Sequence, residues 1–258
     1  MAAILIDVDG VLHVSGDPIP GAPEAVAELR ARGHRLRFIT NNTTRSQAAL
    51  AGELRAGGID LDDSELQTPA AAAARALAGK RVLALVIAGL VEDLDGIELV
   101  GDGADAVLLG GADETEETGR VFSYMNLARA FGELELGAEL YCLHKNRWWQ
   151  TSRGPLLDAG AFVTGLEYAA EVEATVLGKP SPAYFEAAVA ALDGEPELTW
   201  MVGDDLDLDV AGAQRYGLRT VLVRTGKFRP DALERSTIVP DAVLSSIAYL
   251  PDWLERSI

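Results

Sequence analysis

One cysteine, Cys142, is all the thiol the chain carries, which excludes an intrachain disulfide. Histidine is scarce too. His13, His34 and His144 supply neither a zinc cluster nor a histidine-driven nucleophile well. Basic residues are in deficit: 22 Lys and Arg stand against 40 Asp and Glu, a net charge of −18. That field repels polyanions, and no cluster of Lys and Arg offers the basic patch a nucleic-acid partner needs. No apolar run approaches the roughly 20 residues that span a bilayer. The N-terminus lacks the basic start and cleavage site of a signal peptide, so a cytoplasmic protein without membrane attachment is expected. From Val82 to Gly119 there is no Lys or Arg at all; the acids that accumulate there read as a solvated surface. Any chemistry has to come from oxygen ligands.

At 258 residues and 48% hydrophobic side chains, the chain is long enough for one large domain or two modest ones. Apolar runs of strand length occur at 4–8, 36–40, 82–87, 106–109, 139–143, 174–177, 199–202 and 220–223. Helical patterns lie between many of them. "PEAVAELRARG" has Pro23 in its first turn, Ala22, Val26 and Leu29 on one face and Gly33 as a stop. "RSQAALAGELRAGG", "PAYFEAAVAALDG" and "DLDVAGAQRYG" behave similarly. Alternating strands and helices with continuously apolar strands predict an α/β fold, a doubly wound parallel sheet covered on both faces. Ligands of such sheets gather where strands end.

Two strand ends carry acids. Asp7 follows Leu5 and Ile6, with Asp9 two residues on; in "TWMVGDD", Asp204 and Asp205 follow Val202 and Gly203. Strand ends of a parallel sheet share one edge, so these carboxylates converge, and their repulsion calls for a cation among them. Oxygen-only ligands suit Mg²⁺. Two further strand ends favour an anion. Thr40 in "FITNN" is followed by Asn41 and Asn42, and Lys179 in "LGKPSP" follows the run 174–177, held out of helical conformation by Pro180 and facing the same edge. Together they read as a phosphate cradle.

"DVDGVL", the Thr of "FITNN", the Lys of "GKPSP" and "GDDLDLD" resemble, in that order, the four motifs of the haloacid dehalogenase superfamily. The TNN and GKPSP forms, and the roughly hundred residues between them, resemble its branch with a large type-2 cap. Within that branch, "FSYMNLARAF", "LLDAGAFVTGLEYAAEVEATVLGKPSP" and "VRTGKFRP" are similar to the phospholysine phosphohistidine inorganic pyrophosphate phosphatase group.

The resemblance implies a Rossmann-like core from 1–79 and 172–258 with an α/β cap inserted at 80–171. It implies a Mg²⁺-dependent phosphatase in which Asp7 attacks phosphorus and forms an aspartyl-phosphate. Asp9 would protonate the leaving group and then activate water. Mg²⁺ would be held by the Asp7 carboxylate, the Asp9 carbonyl and Asp204, with Asp209 as an orienting group further out and Asp205 in a less defined supporting role. Thr40, Asn41 and Lys179 would bind phosphate oxygens. Gly10 would let backbone approach the phosphate, and Asp207 would face solvent. His13, in a segment like the family's flap, is read as structural or solvent-facing.

In the cap, "HKNRWWQTSRG" stands out. Trp148 and Trp149 alternate faces if extended, and cap core is the expected role of either, while Lys145 and Arg147 attract an anionic substrate or only solubilise the strand. The expected partner is a small phosphorylated substrate: phosphohistidine, phospholysine, pyrophosphate, pyridoxal phosphate, a sugar phosphate or a nucleotide. A homodimer through the cap is expected by analogy. The rival reading is a catalytically silent scaffold on the same fold, against which Asp7, Asp9, Thr40, Lys179 and Asp204 are all intact.

Overall fold

The computed structural model describes residues 1–14, 16–151 and 154–257. The chain divides into two compact units. One comprises Met1–Thr40, Ala48–Gln67 and Lys179–Ile258, the other Asn41–Gln47 and Thr68–Gly178.

The first unit is built on a six-stranded sheet in the order Ala242–Leu244, Arg219–Val223, Thr199–Gly203, Ala3–Asp7, Arg35–Ile39, Leu66–Gln67. Every pairing is parallel. Ala3–Asp7 and Thr199–Gly203 are buried at every position, as continuously apolar strands covered on both faces should be. From the first strand the chain runs outward on one side through Arg35–Ile39 and Leu66–Gln67. It returns on the other side at Thr199–Gly203, which makes the gap between the first strand and Thr199–Gly203 a topological switch point. The register from Ala3↔Thr199 to Ile6↔Val202 keeps the two strands in step, so their carboxyl ends coincide.

Helix Ala22–Ala31 buries Ala22, Ala25, Val26 and Leu29 against this sheet's core, with Pro23 in its first turn. Helix Gln47–Ala56 buries Leu50, Ala51 and Leu54. "DLDVAGAQRYG" forms a π-helical turn, Leu206–Ala211, running into helix Gly212–Arg215.

The second unit has its own five-stranded parallel sheet: Thr175–Val176, Glu139–Cys142, Ala106–Leu109, Arg81–Leu85, Glu98–Leu99. Period-two alternation decides what each face meets. Leu83, Leu85, Val107 and Leu109 pack with Ala130 and Leu134 of helix Tyr124–Glu135 and Val163 and Leu166 of helix Gly160–Ala170. Val82 and Leu108 pack with Ala70 and Ala73 of helix Pro69–Ala76. Trp148–Thr151 and Gly154–Leu157 form an antiparallel hairpin, with Ser152 and Arg153 outside the described residues. Among the described residues no helix is long and apolar enough to cross a membrane.

The apolar run 174–177 differs from expectation. Its strand, Thr175–Val176, pairs with Glu139–Cys142 in the second sheet, so Lys179 does not extend from a strand of the acid-bearing sheet. A short apolar run specifies a strand without specifying its neighbour.

Candidate active site

Asp7 is the last residue of its strand and Asp204 the first beyond Thr199–Gly203. Two adjacent parallel strands in register thus bring both carboxyls to one edge. Asp209 joins them from the π-helical turn. One carboxylate oxygen from each of the three lies within 4.8 Å of the others, and all three side chains are buried.

Their oxygens are not equivalent. Asp209 Oδ1 accepts from Lys179 Nζ at 2.7 Å, and Oδ2 accepts from the Asp204 and Asp205 amides at 3.1 and 3.0 Å, so both oxygens are committed. Asp7 Oδ1 accepts from the Val8 amide at 2.8 Å and pairs with Lys179 Nζ at 2.6 Å. Asp204 Oδ2 accepts from the Lys227 amide at 2.6 Å. Asp7 Oδ2 and Asp204 Oδ1 take no hydrogen bond from the described residues, which leaves one open oxygen on each.

Electrostatics follow from this crowding. Burial, then the Asp209 charge, holds the Asp7 carboxyl well above the usual carboxylate range, despite Lys179. Burial and Asp209 push Asp204 up to about 7. Burial alone would lower the pKa of Lys179, but Asp209 and Asp7 raise it instead, so it is a fixed cation. Three buried carboxyls around one buried ammonium leave an excess of negative charge and only hard oxygen donors. That set fits a divalent cation such as Mg²⁺.

Asp9 lies beside this cluster with its side chain 46% exposed. Its Oδ2 accepts from the Thr40 hydroxyl at 3.1 Å. Thr40 is buried and its carbonyl accepts from Tyr184 Oη at 2.8 Å. Asp205 opens the π-helical turn, its Oδ1 accepting from the Asp207 and Leu208 amides, while Asp207 is exposed. Asn41 follows Thr40 but belongs to the second unit, where its side-chain oxygen lies against Gly178. The structure therefore brings together Asp7, Asp9, Thr40, Lys179, Asp204, Asp205 and Asp209 within the first unit, and Asn41 is not among them.

Sequence reasoning gave no role to the loop after Arg219–Val223. Thr225 Oγ1 donates to the Gly10 carbonyl at 2.5 Å, and a Cβ on Gly10 (φ +85°) or Gly226 (φ +59°) would overlap Asp204 Oδ2. Lys227, 39% exposed, has its Nζ 4.0 Å from Asp205 Oδ2. Partial burial opposes its charge, but Asp205, Asp204, Asp7 and Asp209 outweigh burial and raise its pKa. The signal was available, since "TGK" follows a neighbouring strand of the same sheet.

Two family models match the chain. The one described as haloacid dehalogenase-like hydrolase covers residues 4–99, and a related hydrolase model covers 176–250, so each acid-bearing strand end falls in a match. The phospholysine phosphohistidine inorganic pyrophosphate phosphatase of Bos taurus is 38% identical over 97% of this chain and 93% of its own. The chain belongs to the haloacid dehalogenase-like hydrolases. A second such hydrolase, the Bos taurus haloacid dehalogenase-like hydrolase domain-containing protein 2, is 37% identical over 98% of this chain and 96% of its own. Among solved structures, the p-nitrophenyl phosphatase from Archaeoglobus fulgidus superposes with a TM-score of 0.89 at 28% identity, covering 98% of each chain. The α/β fold of this haloacid dehalogenase-like hydrolase is thus shared over nearly its full length.

Proposed function

We propose that the chain is a Mg²⁺-dependent phosphatase acting on a small phosphorylated substrate through an aspartyl-phosphate on Asp7. The observation that carries this reading is the asymmetry of Asp7: Lys179 and the Val8 amide fix one oxygen and leave the other open. That oxygen attacks phosphorus as the bond to the leaving oxygen breaks, and Asp9, as the carboxylic acid, gives its proton to that oxygen. Asp9, now a carboxylate, takes a proton from water as the water attacks the aspartyl-phosphate. Asp7 departs as carboxylate and inorganic phosphate is released.

Asp7, the Asp9 carbonyl and Asp204 would hold Mg²⁺, which supplies charge that keeps Asp7 ionised beside a phosphate. Asp209 orients Lys179 and the Asp204 backbone. Lys179 binds phosphate oxygens with a charge that does not titrate in the working range, and Thr40, its hydroxyl donating to Asp9 Oδ2, holds the acid beside them. The second unit acts as the cap that selects the substrate, and two copies pair through it in the cytoplasm. Phosphohistidine, phospholysine and pyrophosphate are the first substrates to try, because a relative named for them is 38% identical.

A phosphate-release screen over these compounds and p-nitrophenyl phosphate, with and without Mg²⁺, tests the reading. Turnover is expected to need Mg²⁺ and to vanish in Asp7→Asn. Turnover surviving both EDTA and that substitution would rule out Asp7 as the nucleophile.

A further inference from the structure

His13 sits in the turn that leaves the catalytic strand. The Gly10 amide donates to the His13 carbonyl at 2.8 Å, and the Leu12 amide donates to that of Val8 at 2.9 Å. His13–Val14 then pairs antiparallel with Asp17–Pro18. The imidazole is therefore pinned to the main chain that carries Asp9. The ring is buried, and its two nitrogens have different surroundings. Nδ1 accepts from the Gly16 amide at 3.3 Å, so in the neutral ring the proton is on Nε2. Nε2 is a buried donor without a hydrogen-bond partner among the described residues, and it faces Asp9 Oδ1 at 3.7 Å. The other Asp9 oxygen, Oδ2, is already held by Thr40.

We propose that His13 is a positioning residue, with Nε2–H donating to Asp9 Oδ1 so that His13 and Thr40 hold one carboxyl oxygen each. The inference rests on the reading of Asp9 as the general acid and base. Contacts of this kind are often long before substrate binds and shorten when it does. Each oxygen keeps a lone pair free for the transferred proton. Held at both oxygens, the carboxyl keeps the same direction in both steps. A purely structural histidine would need only the Nδ1 contact that closes the turn.

Two substitutions separate these roles. The carboxamide of His13→Asn reaches the place of Nδ1, accepting from Gly16 but falling short of Asp9; that of His13→Gln reaches the place of Nε2. Each variant, with wild type and Asp9→Asn, is assayed for kcat/KM over a series of aryl phosphates of rising leaving-group pKa. His13→Asn is expected to lose roughly tenfold on the poorest leaving group and little on p-nitrophenyl phosphate, steepening the leaving-group slope. His13→Gln is expected to restore most of that slope.

Equal losses across the series, or Asn and Gln variants that behave alike, would overturn the proposal. Asp9→Asn reports on the underlying reading separately. A wild-type slope in that variant would mean that Asp9 is not the acid; a steep slope there beside a wild-type slope in His13→Asn would sink the role of His13 alone. Imidazole ¹⁵N shifts of the wild-type protein add a check that needs no variant. The Nε2–H tautomer is expected, and an Nδ1–H tautomer would contradict the proposal.

Discussion

Asp209 sits beside the proposed cation site with both oxygens already accepting hydrogen bonds, one from Lys179 and the other from two backbone amides. Its role is to orient the groups around it. Replacing it with Asn keeps the volume but turns one acceptor into a donor, leaving buried N–H groups unpaired. Asp209→Asn is expected to lower kcat by roughly a hundredfold, as loss of a preorganised electrostatic contact does, and to reduce the melting temperature. Steady-state kinetics and a thermal melt check both.

Asp204 makes a pH-dependent statement at the same scale. Without a cation its folded-state carboxyl titrates near 7, raised from the ordinary 3.8. The folded state then binds the proton more tightly than the unfolded chain. The stability this contributes is fully present below 3.8 and is lost as pH rises through about 7. A divalent cation competes with that proton. Thermal melts with and without Mg²⁺ should show a larger stabilising shift at about pH 8 than at about pH 6, because the ion displaces fewer protons there.

Among the elements, Tyr184 of helix Pro182–Ala190 ties two strand ends together, its single hydroxyl proton shared between the Thr40 and Gln67 carbonyls at 2.8 and 2.7 Å. Tyr184→Phe removes this buried hydrogen bond and is expected to cost about 1–3 kcal/mol by chemical denaturation. Thr40 stands at the centre of the site, so kcat should fall as well. Elements also show what was legible in the sequence. Long buried strands declared themselves by continuous apolarity, and the acids at their ends marked the site. The two-residue strand Leu66–Gln67 was not legible, since too few side chains alternate to set a period. Nor could the run 174–177 reveal that its partner is Glu139–Cys142, because pairing depends on contacts distant in sequence. The support from Thr225, Gly226 and Lys227 was missed as well. Their contacts, the Thr225 hydroxyl on the Gly10 carbonyl, the Lys227 amide on Asp204 and the close approach of Gly226 to both, join segments distant in sequence, which a local pattern does not record.

At the scale of the whole molecule, the acid-bearing unit is assembled from three separate stretches of chain. The residues proposed for catalysis lie far apart in sequence and meet because a parallel sheet reverses direction beside its first strand. A net charge of −18 surrounds a site proposed to take an anion, so Lys179, Lys227 and the proposed cation would have to supply locally what the overall field does not. Within it, Lys179 and the Val8 amide tether one oxygen of Asp7, the proposed nucleophile, and leave the other open.

Rapid acid quench of the Mg²⁺-loaded protein during turnover of a ³²P-labelled substrate, followed by peptide mapping, tests the nucleophile directly. A hydroxylamine-labile label is expected on the peptide containing Asp7 and nowhere else, and none in Asp7→Asn. Label on another residue, or undiminished turnover in Asp7→Asn, would contradict it.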